Sequence, residues 1–127
     1  CFDSDILIEC LRGNDKLNDA LNNLRHAEIS ITPVSLCEIY RGAHISNRTE
    51  SNIVQIKHFL EKFKLLQFES ESCELYGKLY AYLKSKGALS QDFDMMIAAL
   101  CISNNKILIT RNKKHYEKIP NLKLEVW

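Results

Sequence analysis

Four places along the chain carry side-chain oxygens that could bind a metal ion if the fold brought them together. They are the pair Asp3 and Asp5, the single Glu38, the pair Asp92 and Asp94, and the amide Asn112. Carboxylate and amide oxygens are the ligands that Mg²⁺ and Mn²⁺ prefer, and these ions bind through few carboxylates while keeping several waters. Such a site forms only where the secondary-structure elements place these oxygens at one point.

The first pair of aspartates lies where a predicted strand passes into a predicted helix. Asp3 ends the strand, whose beginning is cut off, and Asp5 lies at the entry to a helix over residues 6–11. Ligands of α/β sheets bind beyond the carboxyl ends of the strands, which is where Asp3 falls. A capping role explains either aspartate taken singly, but one cap needs only one of them.

Glu38 lies inside residues 34–40, a helical segment that is otherwise mostly apolar. A buried carboxylate is costly unless it is paired or bound to a metal. Arg41 offers an ordinary partner three residues later, and an exposed pair of this kind contributes only about 0.2–0.5 kcal/mol. Taken alone, Glu38 is explained slightly better by this ion pair than by a functional role.

Asp94 begins a segment, residues 95–102, that is apolar on every side and therefore predicts a buried helix. Acidic residues in a first turn favour the helix dipole, which explains Asp92 or Asp94 singly. Two carboxylates leading into an apolar helix are explained more readily by a cation between them and Asp3. Asn112 follows the last residues of another predicted strand, and its alternative role is a helix N-cap.

Strands and helices alternate along the whole chain. Strands are predicted at residues 2–3, 28–31, 64–68, 106–109 and 122–126, and helices at 6–11, 16–26, 33–44, 50–63, 70–86 and 95–102. Thr32 and Pro33 predict the start of the third helix, and Ser90 is expected to cap the buried one. The alternation predicts one α/β domain over residues 1–127, with a central, mostly parallel sheet flanked by helices on both faces.

The composition, with 46% apolar and 26% charged residues, is typical of a soluble globular protein. No stretch reaches the roughly 18 apolar residues of a membrane helix, and no signal peptide is visible, so we expect a cytoplasmic protein without membrane contact. The five cysteines are expected to be reduced core residues, and scattered histidines argue against a zinc site. The net charge is only +1, but residues 111–118 form a basic run, which suits a phosphate partner as well as a solvated loop.

Four segments resemble the motifs of the PIN-domain nucleases and, within them, of the VapC-type toxins of toxin-antitoxin pairs. Residues 3–5, Asp-Ser-Asp, are similar to the opening Asp-Thr-Asn motif, with serine for threonine and aspartate for asparagine. Residues 35–43 resemble the glutamate helix, residues 92–99 the Asp-x-Asp-x-x-Ile-Ala-Ala signature, and residues 108–116 the strand ending in Thr-x-(Asp or Asn). They occur in the family's order over nearly the whole chain.

The resemblance implies a metal-dependent endoribonuclease. Asp3, Glu38 and Asp94 would be catalytic residues and ligands of Mg²⁺ or Mn²⁺, with Asn112 in a fourth catalytic position where many relatives have aspartate. The bound metal would activate water for attack on an RNA phosphodiester, without a covalent intermediate. Further candidates are Asp5 and Asp92 beside the metal, Ser4 and Thr110 for placing water or phosphate, and Arg41, Arg111, Lys113 and Lys114 for holding the RNA backbone.

The same resemblance implies a homodimer and a small VapB-like antitoxin that covers the active site. Three alternatives stay open at this point. One is a PIN-fold nuclease of RNA processing, and another is a non-catalytic RNA-binding module that joins a partner through the helix at residues 52–63. The third is a phospho-receiver domain, which would not explain Glu38 and Asp94 on helices and needs a lysine where this chain has Thr110, Arg111 and Asn112.

Overall fold

A computed structural model describes residues 1–24 and 27–127. In this part of the chain the helices are α1 (Ser4–Leu11), α2 (Asp15–Asn23), α3 (Pro33–His44), α4 (Thr49–Leu60), α5 (Ser70–Ser85), α6 (Asp92–Ser103) and α7 (Lys113–Tyr116). The strands are β1 (Ser30–Ile31), β2 (Lys64–Leu65), β3 (Ile107–Thr110) and β4 (Lys123–Val126). The prediction of alternating strands and helices is confirmed.

Phe2 is the centre of the sheet. It forms parallel bridges with Ile31 of β1 on one side and with Ile109 of β3 on the other. Strand β1 pairs in parallel with β2, and β3 pairs in parallel with β4. The resulting order is β2, β1, Phe2, β3 and β4, with every carboxyl end at the same edge, so the predicted parallel sheet is confirmed.

A hydrophobic core lies on each face of this sheet. Leu108 and Ile109 are neighbours on β3, so their side chains point to opposite faces, and each belongs to a different core cluster. The Leu108 cluster includes Leu79, Leu83, Met95, Leu100 and Tyr116 from α5, α6 and α7, and the Ile109 cluster includes Ile6, Leu7, Ile39 and Ile56 from α1, α3 and α4. Helices therefore cover both faces, as predicted.

Helix α6 is buried along most of its length, as its apolar sequence predicts. Its start differs from the prediction, because Gln91 and not Ser90 occupies the cap position, without a side-chain cap bond. The Ser90 hydroxyl instead donates to the carbonyl oxygen of His115 at 3.0 Å, since the loop before α6 packs against α7. The predicted cap of α3 is confirmed, because the Thr32 hydroxyl accepts from the backbone N–H of Ser35 at 3.0 Å.

Several element ends differ from the sequence-based prediction. Strand β1 begins at Ser30 instead of residue 28, and β2 ends at Leu65 instead of residue 68, because they pair through two residues each. Helix α4 ends at Leu60. The predicted end of the second helix, at residues 25 and 26, lies outside the described residues.

The cysteine prediction is wrong for two residues. Cys1, Cys10 and Cys101 are buried, but Cys37 and Cys73 are exposed on α3 and α5. Both lie on helical faces that do not contact the sheet, so the apolar neighbours in sequence point elsewhere. In the described part of the chain, no helix has the length and hydropathy needed to cross a membrane.

Candidate active site

Asp3 lies at the carboxyl edge of the sheet, directly after Phe2, and is 5% exposed. Its backbone N–H donates to the carbonyl oxygen of Ile109 at 2.9 Å, which fixes it beside the end of β3. Carboxylate Oδ1 accepts from the backbone N–H of Ser4 at 2.8 Å, so the predicted capping role is real. Oδ2 accepts from the Thr110 hydroxyl at 2.8 Å. A carboxylate has about four lone-pair sites, so capping leaves Asp3 with capacity for a further ligand.

The charge of Asp3 is poorly compensated by its surroundings. Burial, followed by the negative charge of Asp5, raises the pKa of Asp3 from 3.8 to about 6. Hydrogen bonds from Thr110, Tyr116 and the backbone of Ser4 act in the opposite direction but are weaker. A cation bound at this edge would favour the ionised carboxylate, because opposite charge lowers the pKa of an acid.

Glu38 reaches the same edge from α3. The Ser4 hydroxyl donates to its Oε2 at 2.7 Å, so the residue after Asp3 holds the glutamate. The expected pair with Arg41 exists but is loose, with 3.8 Å between Arg41 Nη2 and Glu38 Oε1, and two thirds of the arginine side chain is exposed. The short contact to Ser4 is therefore the interaction that orients Glu38 towards Asp3.

Asp94 reaches the cluster from the first turn of α6. The residue is 9% exposed, and its Oδ2 lies 3.0 Å from Nδ1 of His115 on α7. Burial is the main cause that raises the pKa of Asp94, and the charge of Glu38 raises it further, while His115 lowers it. The carboxylates of Glu38 and Asp94 are thus close enough to repel each other.

Tyr116 of α7 interacts electrostatically with these carboxylates. Its ring is packed in the core at 2% exposure. Burial first, and then the charges of Asp3 and Asp94, raise the pKa of its hydroxyl far above the usual range. As a hydrogen-bond donor the hydroxyl lowers the pKa values of both aspartates. The charges of three carboxylates, Asp3, Asp94 and Glu38, therefore all act on one neutral phenol.

Sequence reasoning missed His115 and Tyr116. Both lie in the basic run, where their neighbours suggested a solvated loop. Their spacing from Asn112 could have identified them, because they follow it by three and four residues. One helical turn after the end of a strand brings side chains back to that end.

The two further candidate aspartates, Asp5 and Asp92, lie in different places. Oδ2 of Asp5 accepts from the backbone N–H of Arg111 at 3.0 Å and from the Thr110 hydroxyl at 3.3 Å, so Asp5 ties the loop after β3 to α1. Asp92 is exposed and accepts from the Tyr76 hydroxyl at 3.2 Å. The structure brings Asp5 to the edge of the cluster and directs Asp92 away from it.

Asn112 occupies the N-cap position of α7. Its side chain, however, makes no cap hydrogen bond there, so the predicted capping interaction is absent. Its backbone N–H donates to the Thr110 hydroxyl at 3.0 Å, and its side chain lines an open cleft with Asp5 and Glu9. The hydroxyls of Ser4 and Thr110 both donate to carboxylates. In this structure they therefore orient Glu38 and Asp3.

The cations expected to hold RNA fall into two groups. Arg41 lies against Glu38. Nη1 of Arg111 lies 3.2 Å from Oε2 of Glu9, and the other carboxylate oxygen of Glu9 pairs with Arg12. Lys113 and Lys114 are exposed, and within residues 1–24 and 27–127 neither forms an ion pair. The two arginines are thus partly neutralised, whereas the two lysines are not.

The donor set of Asp3, Glu38 and Asp94 fits a hard divalent cation, because all of its ligand atoms are carboxylate oxygens. Among the described residues, no group of three or more His, Cys, Asp or Glu side chains is arranged to hold a metal ion. The carboxylates are held by Ser4, Thr110, Tyr116 and His115. Metal binding would therefore need these side chains to rearrange within the cluster.

Comparison with known proteins gives a consistent result. The family model described as PIN domain matches residues 1–121. Ribonuclease VapC2 from Rickettsia felis is 33% identical to this chain over 110 residues, which are 84% of this chain and 82% of that protein. The tRNA(fMet)-specific endonuclease VapC from Salmonella typhimurium is 28% identical over 105 residues, which are 83% of this chain and 80% of that protein.

Solved structures show the same similarity. The crystal structure of VapBC2 from Rickettsia felis, bound to a DNA fragment from their promoter, matches with a TM-score of 0.93 and 29% identity over 99% of this chain and 96% of that chain. The structure of VapBC-1 from nontypeable Haemophilus influenzae matches with a TM-score of 0.89 and 26% identity over the same shares of the two chains, 99% and 96%. The chain belongs to the PIN-domain family and, within it, to the VapC group.

Proposed function

We propose that this chain is a Mg²⁺-dependent or Mn²⁺-dependent endoribonuclease that hydrolyses RNA phosphodiester bonds and acts as the toxin of a toxin-antitoxin pair. The observation that carries the proposal is that Ser4 contacts both Asp3 and Glu38, while the charge of Glu38 acts on Asp94 and the pKa values of both aspartates are raised. Relatives named as VapC ribonucleases and as a tRNA(fMet)-specific endonuclease support the substrate class. RNA as substrate implies action in the cytoplasm.

Asp3, Glu38 and Asp94 would hold the metal, with Asn112 beside them at the carboxyl edge of the sheet. A bound divalent cation supplies an acidified water and stabilises the charge on the phosphate oxygens. The remaining work falls to the chain's own residues. Ser4 orients Glu38, Thr110 orients Asp3, and His115 orients Asp94, because the side chain of each contacts that carboxylate at 3.0 Å or less.

Tyr116 has a positioning role in this proposal. Its raised pKa keeps the hydroxyl protonated at any physiological pH, so it acts as a donor to Asp3 and Asp94 and not as a base. A neutral donor to a carboxylate stabilises its ionised form before the metal binds. The carboxylates can therefore be ionised at neutral pH, when they are needed as ligands.

The cleavage test uses a mixed pool of cellular RNA and the purified chain in Mg²⁺, in Mn²⁺ and in chelator, beside an Asp94→Asn variant. We expect cleavage with at least one metal and its loss with chelator and with the variant. Cleavage that survives Asp94→Asn would assign the activity to another site or a contaminant. RNA binding without cleavage under any metal would support the non-catalytic module instead.

We further propose that the chain forms a homodimer and binds a small VapB-like antitoxin. The solved structures similar to this chain include VapBC complexes, which supports such a partner. Co-expression with the protein encoded by the adjacent gene, followed by co-purification and light scattering, tests both points. We expect a complex with two copies of this chain and no RNA cleavage until the partner is removed. A monomer that co-purifies with nothing would contradict the proposal.

A further inference from the structure

A cavity of about 210 Å³ adjoins Asp94, between the loop before α6 and helix α7. Its wall includes Ser90 from the loop, Asp94 from α6, and Lys114, His115 and Lys118 from α7 and the residues after it. It is separate from the cleft lined by Asp5, Glu9, Arg111 and Asn112. The lining of the cavity therefore combines a carboxylate of the candidate active site with basic side chains of the α7 segment.

One hydrogen bond and one close polar contact hold the walls of this cavity together. The Ser90 hydroxyl donates to the carbonyl oxygen of His115 at 3.0 Å, which joins the loop to α7. His115 Nδ1 lies 3.0 Å from Asp94 Oδ2, which joins α7 to α6. These two contacts fix the place of the cavity relative to Asp94.

Lys114 and Lys118 are the lysines that line this cavity. They are both exposed and both line this cavity, so their ammonium groups can reach the same space. Within the described residues, neither lysine has a carboxylate within ion-pair distance, whereas Arg41, Arg111 and Arg12 each have one. Their positive charge is therefore left for a ligand.

We propose that Lys114 and Lys118 form a phosphate-binding subsite that holds the RNA strand next to the scissile phosphate. This inference rests on the proposed nuclease function, because that function places a phosphate at Asp94. Phosphates follow one another along a strand, so a strand with one phosphate at Asp94 can place a neighbouring phosphate in the adjoining cavity. The carboxylate cluster repels this polyanion, and two cations beside it offset the repulsion.

The test measures RNA binding without cleavage. The probe is a short, fluorescein-labelled, single-stranded RNA of mixed sequence, and its anisotropy is followed in chelator at several salt concentrations. The subsite variant is Lys114→Gln with Lys118→Gln. The control variant is Lys16→Gln with Lys84→Gln, which removes the same charge from exposed positions on α2 and α5. Thermal unfolding checks that all three proteins are folded.

We expect the subsite variant to bind this RNA roughly tenfold or more weakly than the wild type at 0.1 M salt. The slope of log Kd against log salt should fall by roughly 0.7 for each lysine that contacts a phosphate. The control variant should keep the affinity within about twofold and the slope unchanged.

Equal affinities and slopes for the two double variants would overturn the subsite, and the cavity would then suit an acidic segment of a protein partner. A wild type that binds no RNA would overturn it as well. A separate arm measures cleavage of the probe in Mg²⁺ and Mn²⁺. Lysine-dependent binding without cleavage would reject the proposed nuclease and leave the two lysines as an RNA-binding site with no scissile phosphate beside it. Cleavage with lysine-independent binding would keep the nuclease and reject the subsite.

Discussion

The Ser4 hydroxyl donates a 2.7 Å hydrogen bond to Oε2 of Glu38. The backbone N–H of Ser4 also donates to Oδ1 of Asp3, the N-cap of α1, so one residue contacts two of the proposed metal ligands. This contact joins the start of α1 to the middle of α3 at the carboxyl edge of the sheet. The position of Glu38 thus depends on a side chain that never needs to touch the metal or the RNA.

Replacing this hydroxyl should weaken the site without unfolding it. We expect Ser4→Ala to lower the cleavage rate at limiting Mg²⁺ by roughly 10-fold to 100-fold, the usual effect of losing a residue that orients a metal ligand. Ser4→Thr keeps the hydroxyl and should restore most of the activity. A Mg²⁺ titration of the cleavage rate measures both. Wild-type behaviour of Ser4→Ala would show that Glu38 needs no such support.

Asp3 should make the metal-free protein less stable at neutral pH than in mild acid. Its pKa in the folded state is about 6, above the 3.8 of the unfolded chain, so the folded state binds more protons between these values. The free energy of unfolding therefore falls as pH rises from about 4 to 6 and stays low above that range. This effect is absent in Asp3→Asn.

At pH 7 we expect Asp3→Asn to be more stable than the wild type by about 1–3 kcal/mol, since one pKa unit corresponds to about 1.4 kcal/mol. Urea unfolding in chelator, at pH values from 4 to 8, measures the difference between the two proteins. A difference that does not change with pH would contradict the assigned environment of Asp3.

Metal binding should be visible as stabilisation, independently of cleavage. We expect Mg²⁺ or Mn²⁺ to raise the Tm of the wild type, because a ligand that binds only the folded state stabilises by about 2.7 kcal/mol at 100 times its Kd. Glu38→Gln should show a much smaller rise, and Glu50→Gln, a change on the exposed start of α4, should respond as the wild type does. Equal responses of all three proteins would place the metal elsewhere.

Tyr116→Phe isolates the role of the phenol, because the ring stays in the core and only the hydroxyl is lost. The hydroxyl lowers the pKa values of Asp3 and Asp94, so its removal raises them. The acid limb of the pH-rate profile should therefore move to higher pH, with little change in Tm. A profile that does not move would mean that Tyr116 serves only packing.

The parallel sheet, the buried helix α6 and the start of α3 could be predicted because each follows from local patterns. Alternation of strands and helices, an apolar run and the Thr32 and Pro33 pair are readable within a few residues. The positions of the His115 and Tyr116 side chains at the carboxylate cluster could not be predicted from such local patterns. Their function depends on how one short turn after β3 packs against α6, which is a tertiary contact.

The pair Asp92 and Asp94 shows where sequence reasoning could have gone further. Residues two apart on a helix point about 200° apart, so both side chains cannot face one cluster. Burial of the rest of α6 then favours Asp94, and Asp92 turns outward to Tyr76. The motif by itself makes both aspartates candidate ligands. Helical geometry shows that only one of them can face the cluster.

This separation also provides the most direct test of the proposed site. Single-turnover cleavage of one RNA in Mg²⁺ is measured for the wild type, for Asp94→Asn and for Asp92→Asn, which carry the same substitution in the same turn of α6. We predict that Asp94→Asn slows cleavage by at least roughly 100-fold, because it removes a proposed metal ligand, while Asp92→Asn stays within about threefold. Equal losses in both variants, or a larger loss in Asp92→Asn, would contradict the carboxylate site described above.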